Sequence, residues 1–211
     1  MKRSSILIVS VAAFAGLFFV ATKFMSTKKE DSYQRVAREK LVKDYSPKIG
    51  PANAKVTIVE FLDPECESCA AFYPKVKGLL DNYKDQVQFV VRYMLFHGNS
   101  KLAAQANEAA GKQGKYWEMQ GQLFYKAQEW THQQQPQTAV FEKFAADIGL
   151  DVEKFREDMK DPVALANILN DFQEGPSLGV TGTPTLFVNG RILTELSYDG
   201  LKALIEEELK N

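Results

Sequence analysis

The sequence lacks any strong excess of charge. Its 26 lysines and arginines nearly balance 27 aspartates and glutamates, which gives a formal net charge of −1. The basic residues form only short clusters, so neither a polyanionic partner nor nucleic-acid binding is indicated. Internal repeats and low-complexity tracts are also missing. With 45% hydrophobic and 25% charged residues, the composition is that of an ordinary globular chain and argues against a disordered, collagen-like or multi-span membrane protein.

Side chains that bind transition metals are scarce, since the 211 residues include only two cysteines and two histidines. A structural zinc site requires four ligands. His97 and His132 lie too far along the chain from Cys66 and Cys69 to match a compact zinc motif. The sequence therefore predicts no metal, flavin or nucleotide cofactor. A zinc or copper site that uses the two cysteines is the alternative.

The N-terminal residues are far more apolar than the rest of the chain. Lys2 and Arg3 precede an apolar run over 6–21. Extended to Met25, this run is long enough to cross the hydrocarbon layer of a membrane as a helix. A signal-peptide cleavage site needs two small residues, and Phe19 stands where one of them should be. Residues 1–25 therefore predict a membrane anchor, with a cleaved signal as the alternative.

Residues 26–50 are polar and carry a weak helical pattern before Gly50-Pro51. They predict a stalk or linker, or alternatively the first, loosely packed segment of the domain that follows.

The remaining residues, 51–211, predict a single α/β domain. Two β-branched runs, over 55–61 and 87–91, predict buried strands, and the helical pattern between them completes a βαβ unit. Residues from about 100 to 178 predict a helical insertion. After the insertion, Asn189-Gly190 separates two short β-branched segments, which is the strongest short signal for a β-hairpin. A closing helix ends the chain.

The two cysteines lie together as Cys66-Glu67-Ser68-Cys69, between the first predicted strand and its helix. At a helix N-terminus the first sulfur faces unpaired backbone N–H groups and the positive end of the helix dipole, which favour a thiolate. Cys66 is therefore the predicted nucleophile, and Cys69, one turn further in, is placed to resolve a mixed disulfide. A purely structural disulfide is the weaker reading, because so short a loop restricts the unfolded chain little.

Two more positions are candidates for the same site. Pro184 opens a strand after the insertion, and a cis Thr183–Pro184 bond would turn the backbone toward the cysteines and leave an edge open for a polypeptide. An ordinary trans proline is the alternative. Glu60 lies in an otherwise apolar strand, where burial would raise its pKa and let it relay a proton to or from Cys69. Alternatively, its carboxylate reaches water at the strand end.

Together these features resemble the DsbA-like branch of the thioredoxin superfamily. The resemblance covers nearly the whole chain from residue 50 onward, and it rests on residues 56–61, Cys66, Cys69, Pro74, residues 100–130, residues 180–185 and Asn189-Gly190. It implies a thioredoxin-like α/β fold with the helical insertion between its βαβ and ββα halves. It also implies site roles: Pro184 as a cis-proline facing the disulfide, Thr183 as the residue that tunes substrate binding and redox potential, and Glu60 as the buried acid.

The resemblance implies an extracytoplasmic enzyme that exchanges disulfides with cysteine-containing protein substrates, as an oxidase of their thiols. Its redox partner would lie in the membrane, either a quinone-linked oxidase or an electron donor. A lone cysteine pair on an exported chain is compatible with redox cycling in oxidising surroundings. The alternatives are a disulfide reductase or isomerase, and a non-catalytic protein that binds peptides or metals.

The residues between the cysteines depart from the family pattern. Strongly oxidising members typically carry Pro-His there, where this chain has Glu67-Ser68, and Asp63 and Glu65 precede the pair. Nearby negative charge disfavours a thiolate. We therefore expect a higher pKa for Cys66 and a less oxidising protein.

Overall fold

The computed structural model describes residues 35–211. The anchor predicted over 1–25 and the first part of the predicted stalk lie outside the described residues. Residues 35–211 contain five strands: β1 (Lys48–Ile49), β2 (Val56–Leu62), β3 (Val87–Tyr93), β4 (Thr185–Val188) and β5 (Arg191–Ile192). The α-helices of this part are α1 (Arg38–Leu41), α2 (Glu67–Asn82), α3 (Ser100–Lys112), α4 (Tyr116–Tyr125), α5 (Thr138–Asp147), α6 (Val152–Asp158), α7 (Pro162–Glu174) and α8 (Tyr198–Lys210). The same residues include two short 3₁₀ helices, Ala127–Glu129 and Gly175–Leu178.

The strands form one mixed sheet in the order β1-β3-β2-β4-β5. β2 and β3 are parallel, whereas β4 pairs antiparallel with β2 and β5 pairs antiparallel with β4. Every residue of β2 and β3 is buried, because successive side chains of a strand point to opposite faces and both faces are covered. This βαβ unit, a set of helices and a final ββα unit give the α/β arrangement that the sequence predicts.

Different helices cover the two faces of the sheet. On one face, Ile58 and Leu62 pack with residues of α2, α4 and α8, such as Val76 and Leu201. On the other face, Phe61 joins residues of β3, β4 and α1. Because alternate side chains of β2 are packed on opposite faces of the sheet, the strand is held in place. Helix α2, which carries the cysteines, begins just after it.

The helical insertion between β3 and β4 has a core of its own. Small side chains on α3, including Ala106 and Ala110, allow close approach of the large rings of Trp130, Phe141 and Phe144. The indole N–H of Trp130 is buried and donates a hydrogen bond to a backbone carbonyl 2.9 Å away. The insertion is therefore a packed helical layer, and it supports the loop that follows β3.

The described part of the predicted stalk is packed on the sheet. Leu41 is buried, and β1 pairs antiparallel with β3. The backbone N–H of Val36 donates to the carbonyl of Gly190 at 2.8 Å. The compact unit begins at Val36, so the described residues of this segment agree with the alternative reading, in which they are the first part of the domain. The polar composition of the segment concealed this, because only a few of its side chains face the domain.

Arg92 ties this N-terminal segment to the insertion. It is fully buried at the end of β3 and forms ion pairs with Asp171 and Glu174 of α7. Its guanidinium also donates to the carbonyl of Leu41 at 3.0 Å. Asp171 in turn accepts a hydrogen bond from the hydroxyl of Tyr45 at 2.7 Å. A buried charge of this kind requires such complete pairing, so the three segments form one structural unit.

The hairpin between β4 and β5 has the turn that the sequence predicts. Asn189 and Gly190 both have positive φ angles, of 46° and 83°, as a type I′ turn requires. A side chain at Gly190 would place its Cβ 2.2 Å from the carbonyl oxygen of Val36. Glycine is therefore needed there both for the turn and for the approach of the N-terminal segment.

No helix within residues 35–211 combines the length and the apolar character needed to span a membrane.

Candidate active site

The cysteines lie where β2 leads into α2. Cys66 is the N-cap residue of α2 in an extended conformation, with no side-chain cap hydrogen bond, and its N–H donates to the carbonyl of Asp63 at 3.0 Å. Its sulfur therefore stands beside the free N–H groups of the first helical turn. Cys66 is partly exposed, Cys69 is buried, and both are free thiols. Attack by a substrate is thus possible at one sulfur and blocked at the other.

The environment of Cys66 favours its thiolate. Its pKa is lowered from 9.0 to about 5, chiefly by the hydrogen bond that the Cys69 thiol donates to its sulfur. Burial opposes this effect, whereas the Thr183 side chain and the N–H groups of Cys69 and Ser68 add to it. The lowered pKa agrees with the thiolate expected at a helix N-terminus, whereas the expectation of a higher pKa than in family members with Pro-His between the cysteines stays a prediction. Hydrogen bonds to the charged sulfur outweigh the acidic character of the surrounding sequence.

Cys69 is perturbed in the opposite direction. Burial, followed by its hydrogen bond to Cys66 and the charge of Glu60, raises the pKa of Cys69 well above its ordinary value. The pair therefore combines an accessible thiolate with a shielded thiol, and thiol–disulfide exchange needs both.

Thr183 and Pro184 lie against the cysteines. The Thr183–Pro184 peptide bond is cis, and the sulfur of Cys66 lies 3.5 Å from the carbonyl oxygen of Thr183. Thr185, the next residue, pairs with Phe61 near the end of β2. The hydroxyl of Thr185 donates to the carbonyl of Gly182 at 2.7 Å, which closes the turn before the strand. The register of β4 thus places this loop beside the start of α2.

Glu60 lies beneath the pair, in the middle of β2. Glu60 is only 3% exposed. The alternative in which its carboxylate reaches water therefore does not hold. Burial, and secondarily the charge on Cys66, raises its pKa from 4.5 to about 8. The carboxyl group therefore retains its proton near neutral pH and stands close enough to Cys69 to influence its ionisation. All five residues singled out from the sequence, Glu60, Cys66, Cys69, Thr183 and Pro184, meet at one place.

Asp63 is a residue of the site whose role the sequence did not reveal. It is fully buried and accepts hydrogen bonds from the N–H of Glu65 at 2.8 Å, the N–H of Phe96 at 2.7 Å and the hydroxyl of Ser100 at 2.5 Å. Its Oδ2 atom, which accepts from Phe96, also lies 2.8 Å from Nδ1 of His97. Asp63 therefore holds the turn before Cys66 against the loop that follows β3.

Glu65 forms a second connection of the same kind. It is buried and accepts hydrogen bonds from the backbone N–H groups of Asn99, at 2.6 Å, and His132, at 2.9 Å. Glu67, by contrast, is exposed and lies 3.0 Å from Nε2 of His132. In the sequence these carboxylates are recognisable only as charges beside Cys66, and the histidines only as possible metal ligands. A single sequence carries no signal that pairs them.

Within residues 35–211, no group of three or more histidine, cysteine, aspartate or glutamate side chains is arranged to hold a metal ion.

A family model described as thioredoxin matches residues 42–207. The chain therefore belongs to the thioredoxin family. Disulfide bond formation protein D of Bacillus subtilis is 29% identical over 195 residues, which are 88% of this chain and 86% of that protein. The crystal structure of oxidised BdbD from Bacillus subtilis superposes with a TM-score of 0.71 at 28% identity and covers 85% of this chain and 98% of that one. These matches confirm the predicted fold and the DsbA-like resemblance.

Other relatives are much longer than this chain. The Na⁺/H⁺ antiporter NhaA of Herminiimonas arsenicoxydans is 35% identical over 150 residues, which are 71% of this chain and 23% of the antiporter. The chain thus spans about a quarter of the length of that relative.

Proposed function

We propose that the protein is a thiol:disulfide oxidoreductase that oxidises the thiols of protein substrates. The observation that carries the proposal is the unequal placement of the two cysteines, since Cys66 is accessible at the N-cap of α2 and Cys69 is buried in its first turn. The lowered pKa of Cys66 and the raised pKa of Cys69 agree with this placement. A purely structural disulfide needs no such asymmetry. The relative named disulfide bond formation protein D supports the same chemistry.

The reaction starts from the Cys66–Cys69 disulfide. A substrate thiolate attacks the accessible sulfur of Cys66, forming a mixed disulfide, and Cys69 leaves as a thiolate that takes a proton from Glu60. A second substrate thiolate then attacks the substrate sulfur of the mixed disulfide. The products are a substrate disulfide and the Cys66 thiolate, so two electrons pass from the substrate to the protein. Glu60, with a pKa of about 8, can donate this proton near neutral pH.

The direction of exchange follows from the stability of the reduced protein. A hydrogen-bonded thiolate at Cys66 stabilises the dithiol form, and a stable dithiol makes the corresponding disulfide a stronger oxidant. This supports an oxidase over a reductase or isomerase.

The remaining parts of the proposal concern location and partners. We propose that residues 1–25 anchor the protein and that the domain acts on the extracytoplasmic side, on cysteine-containing proteins. A membrane redox partner would reoxidise Cys66 and Cys69. The apolar run of the sequence and the single cysteine pair support this arrangement. A reporter that is active only outside the cytoplasm, fused after Asn211, is expected to be active, whereas activity of a cytoplasm-only reporter would contradict it.

Turnover with a reduced, unfolded substrate protein tests the chemistry. The oxidised protein is expected to form substrate disulfides catalytically when an external oxidant is supplied. Cys69→Ser has no internal disulfide and should not oxidise the reduced substrate. When mixed with a substrate that carries a disulfide, it should accumulate a mixed disulfide at Cys66, because no second sulfur of the protein can displace the substrate. Metal analysis of the purified protein is the control. Bound zinc or copper with no turnover would favour the metal-binding alternative, and net reduction of substrate disulfides would favour a reductase.

A further inference from the structure

The sulfur of Cys66 lies among acidic residues and has few cationic neighbours. Asp63 and Glu65 precede it, Glu67 follows it, and Glu60 is buried beneath it. Two histidines, His97 and His132, lie in this region with ring centroids 6.2 Å apart, and Lys101 lines the same pocket.

His97 is held in a defined place by the fold. Its Nδ1 atom lies 2.8 Å from a buried oxygen of Asp63, and its backbone N–H donates to the hydroxyl of Ser100 at 3.1 Å. Ser100 also donates to Asp63, at 2.5 Å. The N–H of Cys66 donates to the carbonyl of the same Asp63. The imidazole and the nucleophilic cysteine are therefore both hydrogen-bonded to the same buried residue.

We propose that His97 acts on the reaction as a fixed positive charge, and that its imidazolium stabilises the Cys66 thiolate from a loop outside the C-x-x-C segment. The inference deepens the proposed function, on which it rests. His132 has a different place, because its Nε2 atom pairs with Glu67, whose side chain is 81% exposed. Both side chains of that pair are exposed, at 54% and 81%, so solvent screens it, whereas the Asp63 side chain that holds His97 is fully buried.

The charges around His97 agree with this assignment. Burial lowers the pKa of His97, but the hydrogen bond to Asp63 and the charges of Asp63, Cys66 and Glu65 outweigh it, so the pKa is raised overall. The other charged or titratable groups along this rim are Lys101, His132 and Glu67. Coupling between two sites is reciprocal, so a thiolate that raises the pKa of His97 is itself stabilised by the imidazolium to the same extent.

The coupling has a defined pH window. The thiolate exists above about pH 5, the pKa of Cys66. The imidazolium exists below the raised pKa of His97. The imidazolium therefore stabilises the thiolate only between the pKa of Cys66 and the pKa of His97. The effect is lost as the pH falls through the pKa of Cys66 or rises through that of His97.

The experiment is an NMR titration of His97 in the reduced and the oxidised protein. We expect the pKa of His97 to be about one unit higher in the reduced protein, the lower end of the effect of a close opposite charge. In His97→Gln, which keeps an N–H donor for Asp63, the pKa of Cys66 should rise by a similar amount. The equilibrium with glutathione should then shift about tenfold toward the oxidised variant.

His132→Gln is the matched control. It removes a neighbouring imidazole but should retain the redox-dependent difference in the pKa of His97. Equal His97 pKa values in the two redox states, or equal shifts of Cys66 in the two variants, would overturn the inference. Oxidation of a substrate protein is measured in parallel. Failure of that oxidation with the coupling intact would reject the proposed function alone.

Discussion

Cys66→Ser is expected to abolish disulfide exchange, because a serine hydroxyl neither forms a disulfide nor ionises in this pH range. Cys69→Ser and Cys69→Ala keep the nucleophile but differ in the group that faces it. A serine at position 69 can still donate a hydrogen bond to the Cys66 sulfur, whereas an alanine cannot. That hydrogen bond is the largest cause of the lowered pKa, and hydrogen bonds to charged groups are worth about 1.5–3 kcal/mol. The pKa of Cys66 is therefore expected to be about one to two units higher in Cys69→Ala than in Cys69→Ser.

Thiolate absorbance and the pH dependence of alkylation measure this difference. In the reduced wild-type protein, alkylation at Cys66 is expected to be nearly constant above pH 6 and to fall with a midpoint near 5. Cys69 should react slowly, since it is 1% exposed. Equal pKa values in the two Cys69 variants would show that the second sulfur does not stabilise the first. Rapid alkylation of Cys69 would contradict the assigned roles.

Glu60→Gln is expected to change how stability depends on pH. The folded protein holds the Glu60 proton up to about pH 8, whereas the unfolded chain releases it near 4.5. A pKa that is raised by folding contributes stability that is fully present below the unfolded value and is lost as the pH rises through the folded value. The oxidised wild-type protein should therefore lose at most about 5 kcal/mol of unfolding free energy between these values. Glu60→Gln should lose much less.

The redox state is part of the design of this experiment. In the reduced protein the lowered pKa of Cys66 has the opposite sign, because that contribution is present at high pH and is lost as the pH falls through 5. In the reduced wild-type protein, the contributions of Cys66 and Glu60 to the free energy of unfolding therefore change in opposite directions with pH and offset each other. In the disulfide form the cysteines do not titrate, and burial, the larger cause of the Glu60 shift, remains. Urea unfolding of both oxidised proteins at pH 5, 6.5 and 8 measures the difference. Parallel pH profiles would contradict a buried, protonated Glu60.

The fold could be predicted from the sequence where local patterns are strong. The β-branched run of β2 and the Asn189-Gly190 turn specify their elements directly. The short strand β1 was not predicted, because Lys48–Ile49 has no pattern of its own and pairs only because β3 offers it an edge. The stalk was assigned on composition, and the buried side chain of Leu41 shows how one apolar residue can bring a polar segment into the core.

The candidate site, like the fold, could be predicted from the sequence only in part. Cys66, Cys69 and Pro184 are recognisable because their residue types are rare and their positions relative to strands and helices are diagnostic. The effect of the acidic residues was not predictable, because it depends on where each carboxylate points. Asp63 and Glu65 accept hydrogen bonds from backbone N–H groups that lie far along the chain. Glu67, by contrast, is exposed. Counting charges along a sequence cannot distinguish these cases.

The two buried carboxylates also limit how this domain can be engineered. Asp63 and Glu65 belong to the core of the fold by position, but their hydrogen-bond donors lie in the loop that opens the insertion and, at His132, within the insertion itself. A chimera that exchanges residues 100–178 for another helical segment would leave both carboxylates buried and partly unpaired beside the nucleophile. The insertion is therefore not a transferable module. A graft would have to carry residues 63–65 and 96–100 with it.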